Sequence, residues 1–362
     1  MLVSRLWLTN FRNYTTAEAE LAPRLTLVVG PNGEGKTNLL EAVAYLATLS
    51  SFRGAPPEAL VRAGCTRAVV RAEGARLGRL LLLEAELPTS GRPRVAVNRQ
   101  PLRRTRDLLG ALRVSIFSPD DLALVKEGPA GRRRWLDDTL VGSHPRADAV
   151  RSEFERVLRQ RNTLLRQVGG RLDAEAATTL DVWDAKLAES GEALAQARAD
   201  LVLRLQPVLD RAYRNLSGSE EDPVVTATYE APWRATGLAV ALAAVRAEEL
   251  RRGISLVGPQ RDDLTLTMGA LPARTHASQG EQRSLALALR LAAHDLMSEI
   301  AGEPPVLLLD DVFSELDPDR SAALLALLPP GQAVLTTAGA VPPTARPDLI
   351  LRIRDGRLEE AA

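Results

Sequence analysis

The chain has 362 residues, 45% hydrophobic and 25% charged, with 46 basic and 46 acidic side chains and no formal net charge. That balance excludes a polycation acting through a whole-molecule field, so any nucleic-acid contact has to be a local patch. The single cysteine, Cys65, excludes an internal disulfide, a Cys-x-x-Cys pair and a zinc hook. No apolar run approaches the roughly 18 residues of a membrane span, and Met1 to Arg5 lack a signal peptide's apolar core, so a cytoplasmic location is expected.

In chain order, residues 2–8 alternate apolar and polar side chains, as a half-buried strand does. Asn10-Phe11-Arg12-Asn13-Tyr14 reads as a polar-aromatic turn. The apolar Leu25 to Val29 reads as a buried strand, and Asn38 to Leu46 as a helix. Between them stands Gly30-Pro31-Asn32-Gly33-Glu34-Gly35-Lys36-Thr37, which fits the P-loop pattern in the strand–loop–helix setting that it needs. Its glycines let backbone N–H groups curl round phosphate oxygens, and the helix N-terminus adds partial positive charge. Lys36 would reach the β- and γ-phosphates, and the Thr37 hydroxyl would ligate Mg²⁺. All but three of the basic residues are arginine, and one of the three lysines falls where the motif requires it.

Ala68 to Ala72, Arg79 to Leu87 and Arg94 to Asn98 are short, β-rich and separated by Gly and Pro, which suggests an antiparallel meander. Val114 to Phe117 reads as one more strand. The character changes near residue 120. A helical region begins at Gly131, apolar residues from Val150 to Val168 follow helical spacing, and Gly169-Gly170 breaks that helix. A second long helix carries Trp183, Leu187, Leu194, Leu201, Leu205 and Leu209, with a kink expected at Pro207. Short connections make this an antiparallel helical arm. Strands follow at Val224 to Tyr229, Ile254 to Val257 and Leu264 to Met268, with a helix over Leu238 to Arg252. The end reads as helix from Glu281, strand Val306 to Leu309, helix Arg320 to Leu328, strand Ala333 to Thr337 and a hairpin from Leu349 to Leu358 through Asp355-Gly356. The expected fold is α/β: a P-loop ATPase head with a mixed sheet and an antiparallel β subdomain. Its halves fall at 1–120 and 251–362, with a mainly helical arm inserted at 121–250.

Two further motifs narrow the class. Val306-Leu307-Leu308-Leu309 ends in Asp310-Asp311, the Walker B arrangement of a buried strand with acids at its carboxyl end. Asp310 would hold Mg²⁺ and Asp311 could orient the attacking water, and adjacent carboxylates repel unless a cation is near. Ser278-Gln279-Gly280-Glu281-Gln282-Arg283 is both a capping box and, at a helix start, an anion site. The order of signature, Walker B and then Glu315-Leu316-Asp317 fits ATPases that bind ATP between two copies.

These residues resemble the head of ABC-type ATPases and, most specifically, the RecF family. The resemblance is carried by Asn10 to Tyr14, Gly30 to Thr37, Gly258-Pro259-Gln260-Arg261-Asp262-Asp263, Ser278 to Arg283 and Asp310 to Asp317, which span nearly the whole chain. It implies an ATP-dependent homodimer in which Gly30 to Asn38 of one head and Ser278 to Glu281 of the other enclose ATP and Mg²⁺, with Asp317 in the D-loop. Lys36, Asp310 and Asp311 would be catalytic, and Arg12 is a candidate for a further phosphate contact or a solvated turn arginine. Such a dimer would clamp duplex DNA or a duplex–single-strand junction without reading sequence. With RecO and RecR it would help load RecA at gaps, in recombinational repair and replication. Candidate DNA contacts are Arg132, Arg133, Arg134 and the arm arginines Arg151, Arg156, Arg159, Arg161 and Arg166. Interleaved acids such as Glu153 and Glu155 also allow a salt-bridged, solvated face. The sequence departs from the pattern at Gln260, where the family usually has His. Thr336-Thr337 stands where transporters carry a switch histidine, and Asp311 replaces their usual glutamate; slow hydrolysis is expected. The alternatives are a transporter's ATPase subunit, whose signature lies much closer to its P-loop, and another P-loop enzyme such as a small-molecule kinase.

Overall fold

The structure is a computed structural model. It describes all residues except 171, 218–222, 316–317, 340–343, 355 and 361–362, and leaves the side chains of residues 314–320 undescribed. The N-terminal elements are β1 (Leu2–Phe11), β2 (Tyr14–Glu20), β3 (Leu25–Val29), α1 (Lys36–Thr48), β4 (Arg67–Arg76), β5 (Arg79–Pro88), β6 (Arg94–Val97), β7 (Gln100–Pro101) and β8 (Val114–Phe117). Then come α2 (Ala123–Lys126), α3 (Pro129–Ser143), α4 (Ala147–Val168), α5 (Ala174–Ser217), β9 (Val225–Glu230), α6 (Leu238–Arg252), β10 (Asp263–Met268), β11 (Leu271–Pro272) and α7 (Ala273–His276). The chain closes with α8 (Gln279–Ala301), β12 (Val306–Asp310), α9 (Pro318–Ala326), β13 (Ala333–Thr337), β14 (Leu349–Arg354) and β15 (Arg357–Glu360).

Two compact units form. The first comprises Met1–Leu122, Val208–Asp222 and Gln279–Ala362; the second comprises Ala123–Pro207 and Pro223–Ser278. The first boundary falls within two residues of the expected 121, but the one expected at 251 does not: residues 251–278 go with the helices, and Val208–Asp222 goes with the first unit.

The first unit holds two six-stranded sheets, ordered β15-β14-β3-β13-β12-β8 and β2-β1-β4-β5-β6-β7. In the former, β14, β3, β13, β12 and β8 run parallel and β15 is antiparallel. Its inner strands are covered on both faces, and β12 and β13 are buried at every position. That is why they read as unbroken apolar runs. The second sheet is wholly antiparallel. Helix α1 is apolar nearly all round and buried from Leu39 to Ala47; residues from both sheets join it in one core. Strand β2 was not anticipated, because its alternating Ala17 and Ala19 carry too little apolar bulk to stand out.

The second unit is mainly helical, with the small antiparallel sheet β11-β10-β9. Gly169, at φ 56°, ends α4, and Pro207 lies inside α5. Ile254 to Val257 is not a strand. The backbone N–H of Ser255 is held by Asn162 Oδ1 at 2.8 Å and that of Leu256 by Glu249 Oε1 at 2.6 Å, so side chains take the donors a ladder would use.

The Gly258–Asp263 block, the most family-specific motif, is a latch within this unit. Asp263 accepts both arms of Arg132 at 2.8 Å each, and the Asp262 carboxylate accepts from Tyr229 and from Trp233 Nε1. Arg198 donates to the Pro259 carbonyl and to both oxygens of Asp137. Gln260 donates to the Val257 carbonyl at 2.8 Å, a turn-closing bond that needs no proton chemistry.

Candidate nucleotide site

The site begins where β3 ends. Gly30 packs against β14 so closely that a Cβ there would lie 2.5 Å from the Ile353 carbonyl oxygen. Gly35, at φ 114°, leads into α1 beneath Asn13 and Tyr14, whose polar atoms would stand within 2.9 Å of an added Cβ. The Asn10–Tyr14 turn braces the loop from this side. Tyr14 donates to the Gly35 carbonyl at 2.9 Å, Asn13 to that of Glu34 at 2.8 Å, and Asn38 to Asn13 Oδ1 at 2.8 Å. Lys36 folds back on its own loop, donating to the carbonyls of Gly30 at 2.7 Å and Pro31 at 2.8 Å. Burial lowers the Lys36 pKa, while the charges of Asp311, Asp310 and Glu34 push it back up.

The sheet order places β13 between β3 and β12. Asp310 pairs in register with Thr336 of β13. Its Oδ1 accepts from the Thr37 hydroxyl at 2.9 Å and from the Thr336 hydroxyl at 2.8 Å. Burial raises the Asp310 pKa; the two hydroxyls oppose that shift, and the neighbouring Asp311 charge adds to it. Asp311 stands at φ 46°, a left-handed conformation that costs a β-carbon residue of order 1 kcal/mol. Its N–H donates to the Thr336 carbonyl and hydroxyl at 3.1 and 3.0 Å, and its Oδ1 accepts from Ala338 N at 3.3 Å.

Thr37 and Asp310, expected as metal partners, therefore meet directly, and a buried carboxylate of raised pKa held by two hydroxyls is a group that a cation would relieve. The residues fit Mg²⁺, which takes one or two carboxylates plus substrate phosphates and waters. Among the described residues no cluster of three or more His, Cys, Asp or Glu could hold a metal unaided. Thr336, the side chain that orients Asp310, stands out in the sequence only as the residue at the switch-histidine position, because its tie to Asp310 depends on strand order.

Beside the P-loop lies an open depression of about 540 Å³ lined by Arg12, Asn13, Asn38 and Arg53 among others. Arg12 reaches it but is not a spare cation. It grips the wholly buried Glu41 with Nε at 2.7 Å and a terminal nitrogen at 2.8 Å, and gives its other terminal nitrogen to the Ala59 carbonyl.

Ser278 and Gln279 are exposed at the start of α8, Gly280 and Glu281 half-buried. These signature residues are not among the groups that meet at Asp310. On the same helix Arg290 donates to Asp121 at 2.5 Å, and Asp121 also accepts from Ser118 N. Asp317 lies outside the described residues.

Half of the arginines expected to meet DNA are engaged within the fold instead. Arg132 is buried and chelates Asp263, and Arg133 donates to the Asp262 carbonyl. Arg161 is wholly buried, and Arg151 is engaged with Asp148 and Asp138. Arg156 pairs with Glu153 at 2.5 Å and Arg159 with Glu155 at 3.8 Å, while Arg134 is exposed. Helical charge spacing is blind to depth: Arg132, Arg133, Arg151 and Arg161 serve the fold, whereas Arg134, Arg156, Arg159 and Arg166 are exposed.

Asp310→Asn separates stability from function. The native pKa is raised, so between the ordinary carboxylate range and that raised value the folded state holds its proton more tightly than the unfolded chain. Stability thus falls as pH rises through that window, and above it the penalty is carried in full. The asparagine variant is expected to melt above wild type without metal at pH 7, to converge with it at acid pH, and to lose stabilisation by Mg²⁺-ATP. A melting temperature at or below wild type at pH 7 would contradict this.

A parallel core sheet with Walker A and Walker B one strand apart, and an antiparallel sheet packed over the P-loop helix, define an ABC-type ATPase head. The family described as RecF/RecN/SMC N terminal domain matches residues 2–333. The chain is 47% identical over 351 residues to the DNA replication and repair protein RecF of Streptomyces avermitilis, covering 93% of each. It is 45% identical over 355 residues to RecF of Acidothermus cellulolyticus, covering 95% of each. The solved structure of the recombination mediator protein RecF with ATP, in the RecFOR pathway, superposes with a TM-score of 0.90 at 28% identity, over 99% of this chain and 97% of that one. The Smc head of Pyrococcus furiosus, at 16% identity and TM-score 0.56 over 99% of this chain and 95% of that one, shares the fold. The chain belongs to the RecF family.

Proposed function

We propose that the chain is an ATP-gated, DNA-binding switch of DNA replication and recombinational repair. The observation that carries this reading is the single Asp310 oxygen shared by Thr37 of the P-loop and Thr336 of β13, which joins Walker A to Walker B. The P-loop N–H groups take the phosphates, and Lys36 exchanges its two loop carbonyls for β- and γ-phosphate oxygens. Thr37 and Asp310 would hold Mg²⁺, which would supply charge neutralisation for the nucleotide's phosphates. Asp311 orients the attacking water, and its short side chain suits slow turnover. Adenosine lies in the depression beside Asn13, Asn38 and Arg53. Arg12 contributes there through the N–H groups that Glu41 and Ala59 leave over.

The exposed Ser278 and Gln279 complete the site of a second copy, so ATP bridges two heads and hydrolysis removes the bridge. The Arg290–Asp121 pair ties the segment after β8 to the signature helix, a route by which nucleotide state reaches the rest of the head. The dimer binds duplex DNA or a duplex–single-strand junction and, with RecO and RecR, assists recombinase loading at gaps. Support comes from the RecF relatives and from the ATP-bound solved structure in the RecFOR pathway.

Sedimentation with Mg²⁺-ATP tests this reading. Wild type should dimerise and bind duplex DNA, whereas Ser278→Arg should bind ATP but remain monomeric and lose turnover. A Ser278→Arg monomer with undiminished turnover would leave a P-loop enzyme that needs no second copy.

A further inference from the structure

The antiparallel sheet of the first unit pairs three of its solvent-facing arginines with glutamates across neighbouring strands. Arg5 pairs with Glu18 and Glu20, Arg71 with Glu84 at 2.7 Å, and Arg67 with Glu86 at 3.6 Å. The pattern stops at the β6–β7 edge. Arg92, Arg94, Arg99, Arg103, Arg104 and Arg106 are all exposed, and among the described residues none makes a side-chain hydrogen bond or ion pair. Over residues 92–106 no acid interrupts them. Glu86 faces Arg94 across the strands, but its ion pair is with Arg67.

The platform beneath is ordered. The Leu102 N–H donates to the Val95 carbonyl at 2.9 Å, one step beyond the last β6–β7 pair, so Arg103 and Arg94 each adjoin a residue held in that bond. Leu108, wholly buried, anchors the short 3-10 turn Thr105–Leu108 that carries Arg106. At the β6–β7 turn Asn98 and Arg99 have φ of 49° and 66°. A two-residue turn of this kind favours glycine second, so an arginine is accepted there against backbone preference. Edge strands often carry charges that deter strand pairing, which accounts for Arg94 and Arg99. It does not account for Arg92, Arg103, Arg104 and Arg106, which lie outside the β6–β7 hairpin.

We propose that this edge is a contact for the sugar-phosphate backbone of duplex DNA, an inference that rests on the DNA-binding reading above. Neighbouring like charges repel in the free protein, and phosphates relieve that repulsion. Arg94 and Arg99 are at most roughly 16 Å apart along the strand, a reach of four to five phosphates of one DNA strand. No Phe, Tyr or Trp occurs between residues 88 and 116, so the patch lacks the stacking platform on which single-stranded bases are held. It therefore grips phosphates without reading sequence.

The test is fluorescence anisotropy of a labelled duplex with full-length protein and Mg²⁺-ATP, over about 50 to 200 mM salt. Arg94→Gln/Arg99→Gln/Arg103→Gln should flatten the slope of log affinity against log salt by about 2 to 3. Arg71→Gln, which removes a glutamate-paired arginine, should leave the slope unchanged. Melting temperature and ATP affinity should stay at wild-type values in the triple variant, since these side chains are exposed. A wild-type slope in the triple variant, with duplex binding intact, would overturn the patch and spare the DNA-binding reading. Wild type that binds no duplex in any nucleotide state would overturn both. Unchanged DNA binding with lost binding to poly-L-glutamate would overturn the inference in favour of an acidic protein partner.

Discussion

Lys36→Ala is expected to abolish measurable ATP turnover and to weaken Mg²⁺-ATP binding by one to two orders of magnitude. Lys36 is 6% exposed and satisfied by the Gly30 and Pro31 carbonyls, so without nucleotide its ammonium holds the loop closed on itself. Burial alone would favour losing the proton, but Asp311, Asp310 and Glu34 counter it and favour the charged form. Phosphate oxygens are better acceptors for that charge than carbonyls, and a hydrogen bond to a charged group is worth about 1.5–3 kcal/mol net, or roughly 10- to 150-fold in affinity. Turnover suffers more than binding, because negative charge on the transferring phosphoryl group has to be met at the transition state. Lys36→Arg keeps the charge but puts a planar fork where a compact ammonium sits between two carbonyls, and should recover little. Calorimetric titration and steady-state phosphate release read the two effects separately. An alanine variant within threefold of wild type in both would remove Gly30–Thr37 from any nucleotide role.

What could be read from the sequence divides along physical lines. Strand β3, the P-loop, α1 and β12 were legible because a strand covered on both faces has no choice but an apolar run. Gly30 and Gly35 likewise stand where a Cβ would collide. The boundary acids Asp310 and Asp311 were legible for the same reason, as charge abruptly ending such a run. Strand β2 was not, since alanine alternation is weak, and Ile254 to Val257 misled because apolar residues say nothing about where backbone donors go. Charge proved the least legible property. Arg132, Arg161 and Arg198 are indistinguishable in sequence from solvated helix-face arginines, yet each is buried among carboxylates. Arg92 to Arg106 drew no notice, because whether arginines are free depends on which glutamates lie across neighbouring strands. Thr336 shows the same limit: its link to Asp310 exists only through the β12–β13 register.

Arg161→Met is the second large expected effect, and it lies in the helical unit. The Arg161 side chain has no solvent exposure. It donates to Asp184 Oδ1 at 2.6 Å, to Ser255 Oγ at 2.8 Å and to Glu249 Oε2 at 2.6 Å. Glu249 is equally buried, and its other oxygen accepts from Leu256 N at 2.6 Å. Arg161 thereby closes α4 against α5, α6 and the segment that leads to the Gly258–Asp263 latch. Removing it strands a buried carboxylate, a change that typically costs about 3–5 kcal/mol. Screening by salt reaches such a pair weakly, so the loss should persist at high ionic strength. Denaturant unfolding followed at Trp183 and Trp233 fluorescence would report the transition of this unit. A loss below about 1 kcal/mol that shrinks with salt would mean that the network is wet and marginal. The double variant Arg161→Met/Glu249→Leu carries the sharper argument. If it regains most of the lost stability, the ion pair adds little over apolar packing and is retained to select one helix register. If it does not, the Leu256 N–H that Glu249 accepts and the Ser255 hydroxyl that accepts from Arg161 are what the unit needs, and the latch they support should loosen with them.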